Sequence, residues 1–157
     1  IHHAGWMVAA FEISGIVGML VAGWATDRFF GGRGPRVCVI CMALATVFVA
    51  LFWGISQPPM WLATLLLGAA GFCIYGPQAL VGIAAANIAT KKAAATAVGF
   101  TGLFGYASTL VSGWGLGLLA QHYGWNIAVG ALILIAIMGT LIFMAAWSAK
   151  ANGYDND

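Results

Sequence analysis

Long apolar segments alternate with short polar ones along the whole chain, and the alternation repeats five times. The apolar segments are residues 4–25, 37–54, 60–86, 93–120 and 127–149. Each is close to the roughly 20 residues that an α-helix needs to cross the hydrocarbon core of a bilayer. None shows the residue-by-residue alternation of a membrane barrel strand. The pattern therefore predicts an all-α, polytopic helical membrane protein with five transmembrane helices and a tail at residues 150–157.

The composition identifies the lipid bilayer as the surroundings of these helices. Of the 157 residues, 62% are hydrophobic and 6% are charged, whereas a soluble domain carries about 25% charged residues. A net charge of +2 is too small to indicate a nucleic-acid partner. The chain does not begin with Met, and we interpret it as part of a longer protein.

All the basic residues fall on one side of the predicted membrane. They lie in the first connection, the third connection and the tail, which share a side because successive connections alternate. These residues are Arg28, Arg33, Arg36, Lys91, Lys92 and Lys150. Because positively charged residues stay cytoplasmic, we expect an external start and a cytoplasmic C-terminus. An odd number of helices with an external start indicates that an N-terminal half of the same chain precedes this sequence.

Glu12 is the one charged residue inside a predicted span. An acid at mid-membrane costs about 2.5–3.5 kcal/mol on insertion scales, so it must face a polar cavity, find a partner or stay protonated. The five spans contain no Lys, Arg or His, and we therefore expect the partner to lie in the preceding part of the chain. The structural alternative is a protonated carboxyl group that is hydrogen-bonded to a neighbouring helix.

The third and fourth spans each carry small residues and a tyrosine on one helical face. On the third span this face contains Gly68, Gly71, Tyr75, Gln78, Gly82 and Ala86. On the fourth it contains Ala95, Gly99, Gly102, Tyr106, Thr109 and Gly113. Glycines allow helices to approach closely, and polar groups in a dry setting need partners. We predict that Tyr75, Gln78 and Tyr106 line a substrate pathway, with ordinary helix packing as the alternative, and that Pro77 kinks the third span.

The first connection combines one acid with three arginines, and its glycines and Pro35 predict a tight turn. A carboxylate among guanidinium groups forms strong charged hydrogen bonds, which can hold one conformation and open in another. We predict that Asp27, Arg28 and Arg33 form a gating loop at the cytoplasmic mouth. The alternative is a hydrated turn whose charges only set the orientation.

The sequence indicates no cofactor, no metal site and no catalytic residues. Cys38 and Cys41 have the spacing of a redox or metal pair, but they sit in an apolar run without further ligands, so we interpret them as packing residues. His2, His3 and His122 have no carboxylate or cysteine cluster beside them. Catalytic motifs and paired carboxylates are lacking as well, and we do not expect an enzyme.

Four sequence motifs together resemble a known family. The segment GWATDRFFGGR at residues 23–33 resembles the signature loop of the major facilitator superfamily, with extra residues between its DR and GR pairs. The segments YGPQALVG at 75–82, KKAA at 91–94 and GFTGLFGY at 99–106 are similar to the organophosphate:phosphate antiporter family. That family includes the glycerol-3-phosphate, hexose-phosphate and phosphoglycerate transporters. The resemblance covers essentially the whole chain and implies helices eight to twelve of a twelve-helix fold, a partial C-terminal six-helix bundle.

The resemblance also implies site residues. Glu12, in FEISGIVG at 11–18, matches an acid of helix eight; Tyr75, before Gly-Pro, matches a tyrosine of helix ten; Tyr106, at the end of GLFGY, matches one of helix eleven. All three line or adjoin the substrate pore in the family. The positions that depart from residues found in the family are Asn87, Thr90 and Ala95.

The implied function is a secondary active transporter of the bacterial inner membrane. It would exchange an organic phosphate (glycerol-3-phosphate, a sugar phosphate or phosphoglycerate) for inorganic phosphate by alternating access between two bundles. The phosphate-binding arginines of the family belong to helices outside this sequence. The alternative, from the same family, is a membrane sensor of external hexose phosphate that signals to a histidine kinase. The sequence leaves open both the ester and the choice between transporter and sensor.

Overall fold

The computed structural model describes residues 2–89 and 92–148. Its five helices are α1 (His2–Phe30), α2 (Gly34–Gly54), α3 (Met60–Ile88), α4 (Ala94–Tyr123) and α5 (Trp125–Ala145). Each is long and apolar enough to cross a membrane. The described part of the chain contains no strand, and the all-α polytopic fold is confirmed. Lys91, Lys150, the tail and the side chains of His2 and His3 lie outside the description.

The first helix extends beyond the predicted span, and one prediction about the connection is therefore wrong. Asp27 and Arg28 lie on the last turn of α1 and not in a loop. The helix ends where Gly31 and Gly32 adopt positive φ values of 56° and 76°, a conformation that glycine accepts without a steric penalty. The Gly32 amide donates to the Thr26 carbonyl at 3.1 Å. Hydropathy marks where the chain enters water, whereas these backbone contacts determine where the helix stops.

The fourth connection is likewise shorter than predicted. Helix α4 continues to Tyr123 and α5 begins at Trp125, so that Gly124 alone joins them. Its φ of 86° lies in the region that favours glycine. Across the same end of the molecule, Trp53 at the end of α2 donates a 3.4 Å hydrogen bond to the side chain of Asn126 at the start of α5.

Helix α3 is the centre of the packing. It contacts α1, α2 and α4, while α5 packs against α2 and α4. Its buried residues are Ala63, Leu66, Gly68, Ala70, Gly71, Cys73, Gly76, Pro77 and Leu80. Helix α4, by contrast, has no buried residue in the described structure. The bundle is therefore tight around α3 and open along α4.

Helices α1 and α3 approach each other backbone to backbone. A Cβ atom at Gly18 would lie 2.1 Å from the Phe72 carbonyl oxygen, and one at Gly71 would lie 2.5 Å from the Phe11 carbonyl oxygen. No residue larger than glycine fits either position without moving a helix. The Ser14 hydroxyl lies beside these glycines, 2.7 Å from the Gly68 carbonyl oxygen on α3 and 2.6 Å from a carbonyl oxygen on its own helix. Small residues and one hydroxyl thus join the two helices, as membrane interfaces commonly require.

Candidate functional site

Glu12 has a hydrogen-bond partner inside this sequence. The Tyr75 hydroxyl on α3 donates to the Glu12 Oε2 atom on α1 at 2.5 Å. The structural alternative considered for Glu12 was a protonated carboxyl group bonded to a neighbouring helix, and this contact supplies such a neighbour within the described residues. The described spans contain no Lys or Arg that could neutralise a carboxylate at this depth. A carboxyl group that accepts from a phenol is thus fixed in orientation while its other oxygen remains available.

Close packing holds the Tyr75 ring in place for this bond. A Cβ atom at Gly15 would lie 2.6 Å from the Cδ2 atom of that ring, so glycine creates the space that the ring occupies. The Phe11 ring meets Tyr75 edge to face, with 5.9 Å between centroids and 71° between planes. Phe11, Glu12 and Gly15 lie within four residues of α1, close enough on a helix to share one face toward Tyr75.

Gln78 and Tyr106 line a different feature, a groove between α3 and α4 that combines apolar with polar side chains. Its volume is about 510 Å³. The lining residues are Pro77, Gln78, Val81, Gly82, Val98, Thr101, Gly102, Gly105, Tyr106, Ser108, Thr109 and Phe143. We call this feature the α3–α4 groove. Tyr106 is 78% exposed at its edge. The four predicted pathway residues therefore form two pairs, Glu12 with Tyr75 and Gln78 with Tyr106.

The two pairs adjoin each other through α3. Tyr75 and Gln78 are three residues apart, about 4.5 Å along the axis of a helix. Pro77 lies between them, buried inside the helix, and its ring leaves the helix without one backbone donor at that turn. The side chains on either side of Pro77 reach different neighbours, because Tyr75 contacts α1 whereas Gln78 borders the groove beside α4.

The groove brings in two hydroxyl residues that the sequence pattern did not single out, Thr101 and Ser108. The predicted face of α4 was centred near Tyr106 and Gly102. Taking 100° per residue, the lining observed on α4 is centred near Gly105 and rotated by roughly 70° from that face. The sequence signal that could have identified this lining is the run of small and hydroxyl-bearing residues on both sides of Tyr106. Tyr106 and Thr109 belong to the predicted face and also to the groove.

The charged residues of the first connection lie at the opposite end of the bundle from the N-terminus of α1. Asp27 and Arg28 are exposed, and Arg33 precedes α2. Within the described ranges, Asp27 forms no ion pair with these arginines. Arg36 instead packs over the Trp147 ring after α5, with its guanidinium carbon 5.5 Å from the ring centroid. Its Nε atom is buried without a hydrogen-bond partner in the described structure.

The other sequence candidates are packing residues in this structure. Cys38 and Cys73 are 2% and 4% exposed, and Cys41 is partly buried. Among residues 2–89 and 92–148, no group of three His, Cys, Asp or Glu side chains could hold a metal ion. The polar features described above are thus the chemically distinctive part of the described spans.

Comparison with known proteins shows which family this chain resembles. The family model of the Major Facilitator Superfamily matches residues 1–153. The chain is 39% identical over 147 residues to a probable hexose phosphate transport protein of Chlamydia pneumoniae, covering 93% of this chain and 32% of that protein. It is 36% identical over 142 residues to the hexose-6-phosphate:phosphate antiporter of Escherichia coli, covering 86% of this chain and 30% of the relative.

A third relative has a different role. The membrane sensor protein UhpC of Salmonella typhimurium is 32% identical over 149 residues, which cover 94% of this chain and 34% of that protein. The chain spans about a third of the length of each of these three relatives.

Proposed function

The chain belongs to the Major Facilitator Superfamily, and from this premise we propose that it forms the C-terminal part of a transporter that exchanges an organic phosphate ester for inorganic phosphate. The ester is glycerol-3-phosphate, a sugar phosphate or phosphoglycerate. The transporter lies in the bacterial inner membrane with its C-terminus in the cytoplasm, because the basic residues of the chain share one side. Similarity to a hexose-6-phosphate:phosphate antiporter supports both the substrate class and the exchange.

The observation that carries the proposal is the α3–α4 groove beside the hydrogen-bonded Glu12 and Tyr75. Acyl chains cannot satisfy polar groups, and side chains of this kind inside membrane spans mark substrate pathways. Gln78 and Tyr106 border the groove, and the Tyr75 hydroxyl holds the Glu12 carboxyl group one helical turn away. In the proposed transporter, these four residues face the pathway between this bundle and its N-terminal counterpart.

The distribution of charged residues determines which part of the substrate each bundle binds. A phosphoryl group is recognised most strongly by Arg or Lys, and the described spans hold no such residue at mid-depth. We therefore assign the phosphoryl group to cations of the N-terminal part and the remainder of the pathway to this bundle. The site is then complete only when both bundles close on the substrate, which is the basis of alternating access.

Asp27, Arg28 and Arg33 are proposed to control the cytoplasmic side of this cycle. They are close in sequence at the junction of α1 and α2, yet Asp27 has no ion-pair partner within the described residues. Exposed groups of opposite charge stabilise a state only when that state brings them together. The proposal is that an ion pair with Asp27 forms in one access state and opens in the other.

Counterflow in proteoliposomes tests this function. The full-length protein containing this sequence is reconstituted with labelled phosphate inside, and external glycerol-3-phosphate, glucose-6-phosphate or 3-phosphoglycerate is added. We expect efflux of label driven by one of these esters and none driven by the free sugar or glycerol. Absence of ester-driven efflux from a correctly folded protein would refute the antiporter.

The second candidate is a sensor of external hexose phosphate. Similarity to the membrane sensor protein UhpC favours it specifically. A sensor must bind the ester but does not need to translocate it. Glucose-6-phosphate that stabilises the purified protein against thermal unfolding without driving phosphate efflux would favour this candidate over the antiporter.

A further inference from the structure

We propose that the α3–α4 groove binds the hydroxyl-bearing organic part of the phosphate ester and excludes the phosphoryl group, so that its lining selects among esters. The inference rests on the proposed function and deepens it, because it assigns one end of the substrate to one feature of this chain. It adds Thr101, Ser108 and Thr109 as specificity-determining residues beside Gln78 and Tyr106.

The described lining of the groove is electrically neutral. None of the described side chains that line it is charged, while five of them carry groups that can form hydrogen bonds. These five are Gln78, Thr101, Tyr106, Ser108 and Thr109. A phosphate dianion placed against neutral groups in a low-dielectric span would lose its hydration without a compensating cation. Sugar hydroxyl groups are neutral, and the loss of their hydration costs far less free energy.

Three hydroxyl groups of the groove donate their protons to backbone carbonyls of α4. The Thr101 hydroxyl donates to the Val98 carbonyl at 2.9 Å. The hydroxyls of Ser108 and Thr109 donate to the Gly105 carbonyl at 2.7 Å and 3.0 Å. A hydroxyl has one proton and two lone pairs, so each of these three groups remains available to the groove as an acceptor.

This acceptor character distinguishes the two ends of the ester. A sugar or glycerol hydroxyl can donate to such an oxygen, whereas the oxygens of an ionised phosphoryl group only accept. Turning a serine or threonine proton toward phosphate would break its bond to the helix carbonyl. Gln78 and Tyr106 can both donate and accept, and they complete a lining that suits several neighbouring hydroxyl groups.

The groove is large enough for the organic part of the ester. The groove volume of about 510 Å³ lies within the range of about 300–1,000 Å³ that is typical of small-molecule sites. Gly82, Gly102 and Gly105 contribute to its lining, and a Cβ atom at any of them would meet no atom within 4 Å. No side chain covers the backbone at these three positions, and a sugar ring can therefore approach it closely.

The test compares two kinds of exchange in the full-length protein. Thr109→Val keeps the side-chain shape and removes the acceptor, and Ser108→Ala removes its neighbour. Proteoliposomes are assayed for exchange of internal phosphate against external glucose-6-phosphate and, separately, against external phosphate. We expect each variant to lower kcat/KM for glucose-6-phosphate relative to that for phosphate by about 3- to 10-fold, the effect of one lost hydrogen bond. Glycerol-3-phosphate, which has fewer hydroxyl groups, should be affected less.

Ser112→Ala is the matched control. Its hydroxyl lies on the same helix and donates to the Thr109 carbonyl at 3.2 Å, but Ser112 does not line the groove. This variant should leave both exchanges at the wild-type level. Equal losses of glucose-6-phosphate and phosphate exchange in the groove variants, or no loss in either, would overturn the inference.

A binding measurement separates this inference from the antiporter proposal. Thermal stabilisation of each purified protein by glucose-6-phosphate and by inorganic phosphate is recorded in detergent, where no transport is needed. If the wild type exchanges nothing but is stabilised by glucose-6-phosphate, and the groove variants selectively weaken that effect, the antiporter fails and the groove assignment stands. Stabilisation by glucose-6-phosphate that the variants leave unchanged refutes the assignment, whether or not exchange occurs.

Discussion

Replacing Gly18 with alanine should separate α1 from α3, because the added Cβ atom would collide with backbone. It would lie 2.1 Å from the carbonyl oxygen of Phe72 and 2.8 Å from the carbonyl carbon and Cα of the same residue. No rotamer change relieves a contact with backbone atoms. Restoring the oxygen contact to 3.0 Å, the limit that real Cβ atoms observe, requires about 0.9 Å of additional separation along that direction.

That displacement affects the whole interface between α1 and α3. The Ser14 bond to α3 at 2.7 Å and the Tyr75 bond to Glu12 both cross it. Overpacking that forces a backbone shift costs about 1–3 kcal/mol. We therefore expect Gly18→Ala to lower the free energy of unfolding by that amount relative to the same change at an uncrowded helical glycine, and to reduce exchange activity together with it.

Gly23→Ala is the matched control on the same helix. A Cβ atom at Gly23 meets no atom within 4 Å in the described structure, and replacing a helical glycine with alanine contributes about 0.5–1 kcal/mol of stability. Gly18→Ala receives the same contribution, so the two variants should differ by the overpacking cost alone, about 1–3 kcal/mol.

Unfolding can be followed through the protein's own cysteines. Cys38 and Cys73 are 2% and 4% exposed, so a thiol-reactive fluorophore reacts with them only when the bundle opens. Melting curves of the full-length protein in one detergent give the order of stability directly. A Gly18→Ala protein that melts at or above the temperature of the Gly23→Ala protein would refute the backbone-contact reasoning.

Three further variants probe single contacts. Tyr75→Phe removes the donor to Glu12 but keeps the ring, and it should lower ester exchange about 3- to 10-fold while destabilising the protein by only about 0.6 kcal/mol; unchanged exchange kinetics would remove the pair from the pathway. Ser14→Ala removes the hydroxyl that bonds to α3 and should destabilise the protein by about 0.6 kcal/mol, the mean for hydrogen bonds between membrane helices, as measured by the same melting assay. Trp147→Leu removes the ring beneath Arg36 and should lower the free energy of unfolding by about 0.5–1 kcal/mol in the same melting assay. An equal loss of stability when Arg36 has already been replaced by Gln would show that the contact contributes nothing.

Much of the fold could be predicted from hydropathy, because a long apolar segment inside a membrane must form a helix to satisfy its backbone hydrogen bonds. All five spans correspond to helices, and the glycines at positions 68 and 71 do face a neighbouring helix. The helix ends were less predictable. Asp27 and Arg28 continue α1 into polar surroundings until Gly31 and Gly32 turn the chain, and hydropathy carries no information about that turn.

The arrangement of the candidate site residues could not be predicted from the sequence. Periodicity placed Tyr75 and Gln78 on one face of α3, yet the structure directs Tyr75 toward α1 and Gln78 toward the groove. The pattern of residues along one helix does not show which neighbouring helix each of its turns contacts. The Tyr75 bond to Glu12 joins residues 63 positions apart, and it depends on how two helices cross. The orientation of α4, which brings Thr101 and Ser108 into the groove, depends in the same way on packing.

The contrast between the two sides of α3 indicates how this bundle would take part in a transport cycle. On one side, α3 meets α1 through backbone atoms at Gly18 and Gly71, and close-packed contacts of this kind transmit displacement without adapting to it. On the other side, α4 has no buried residue among those described and borders a groove. A substrate bound there would contact both α3 and α4, and its binding energy would be available to draw α4 toward the rigid pair formed by α1 and α3. Ligand binding can shift a conformational equilibrium only through a difference in contacts between two states, and binding in the α3–α4 groove would supply that difference if the separation of α3 and α4 changes between them.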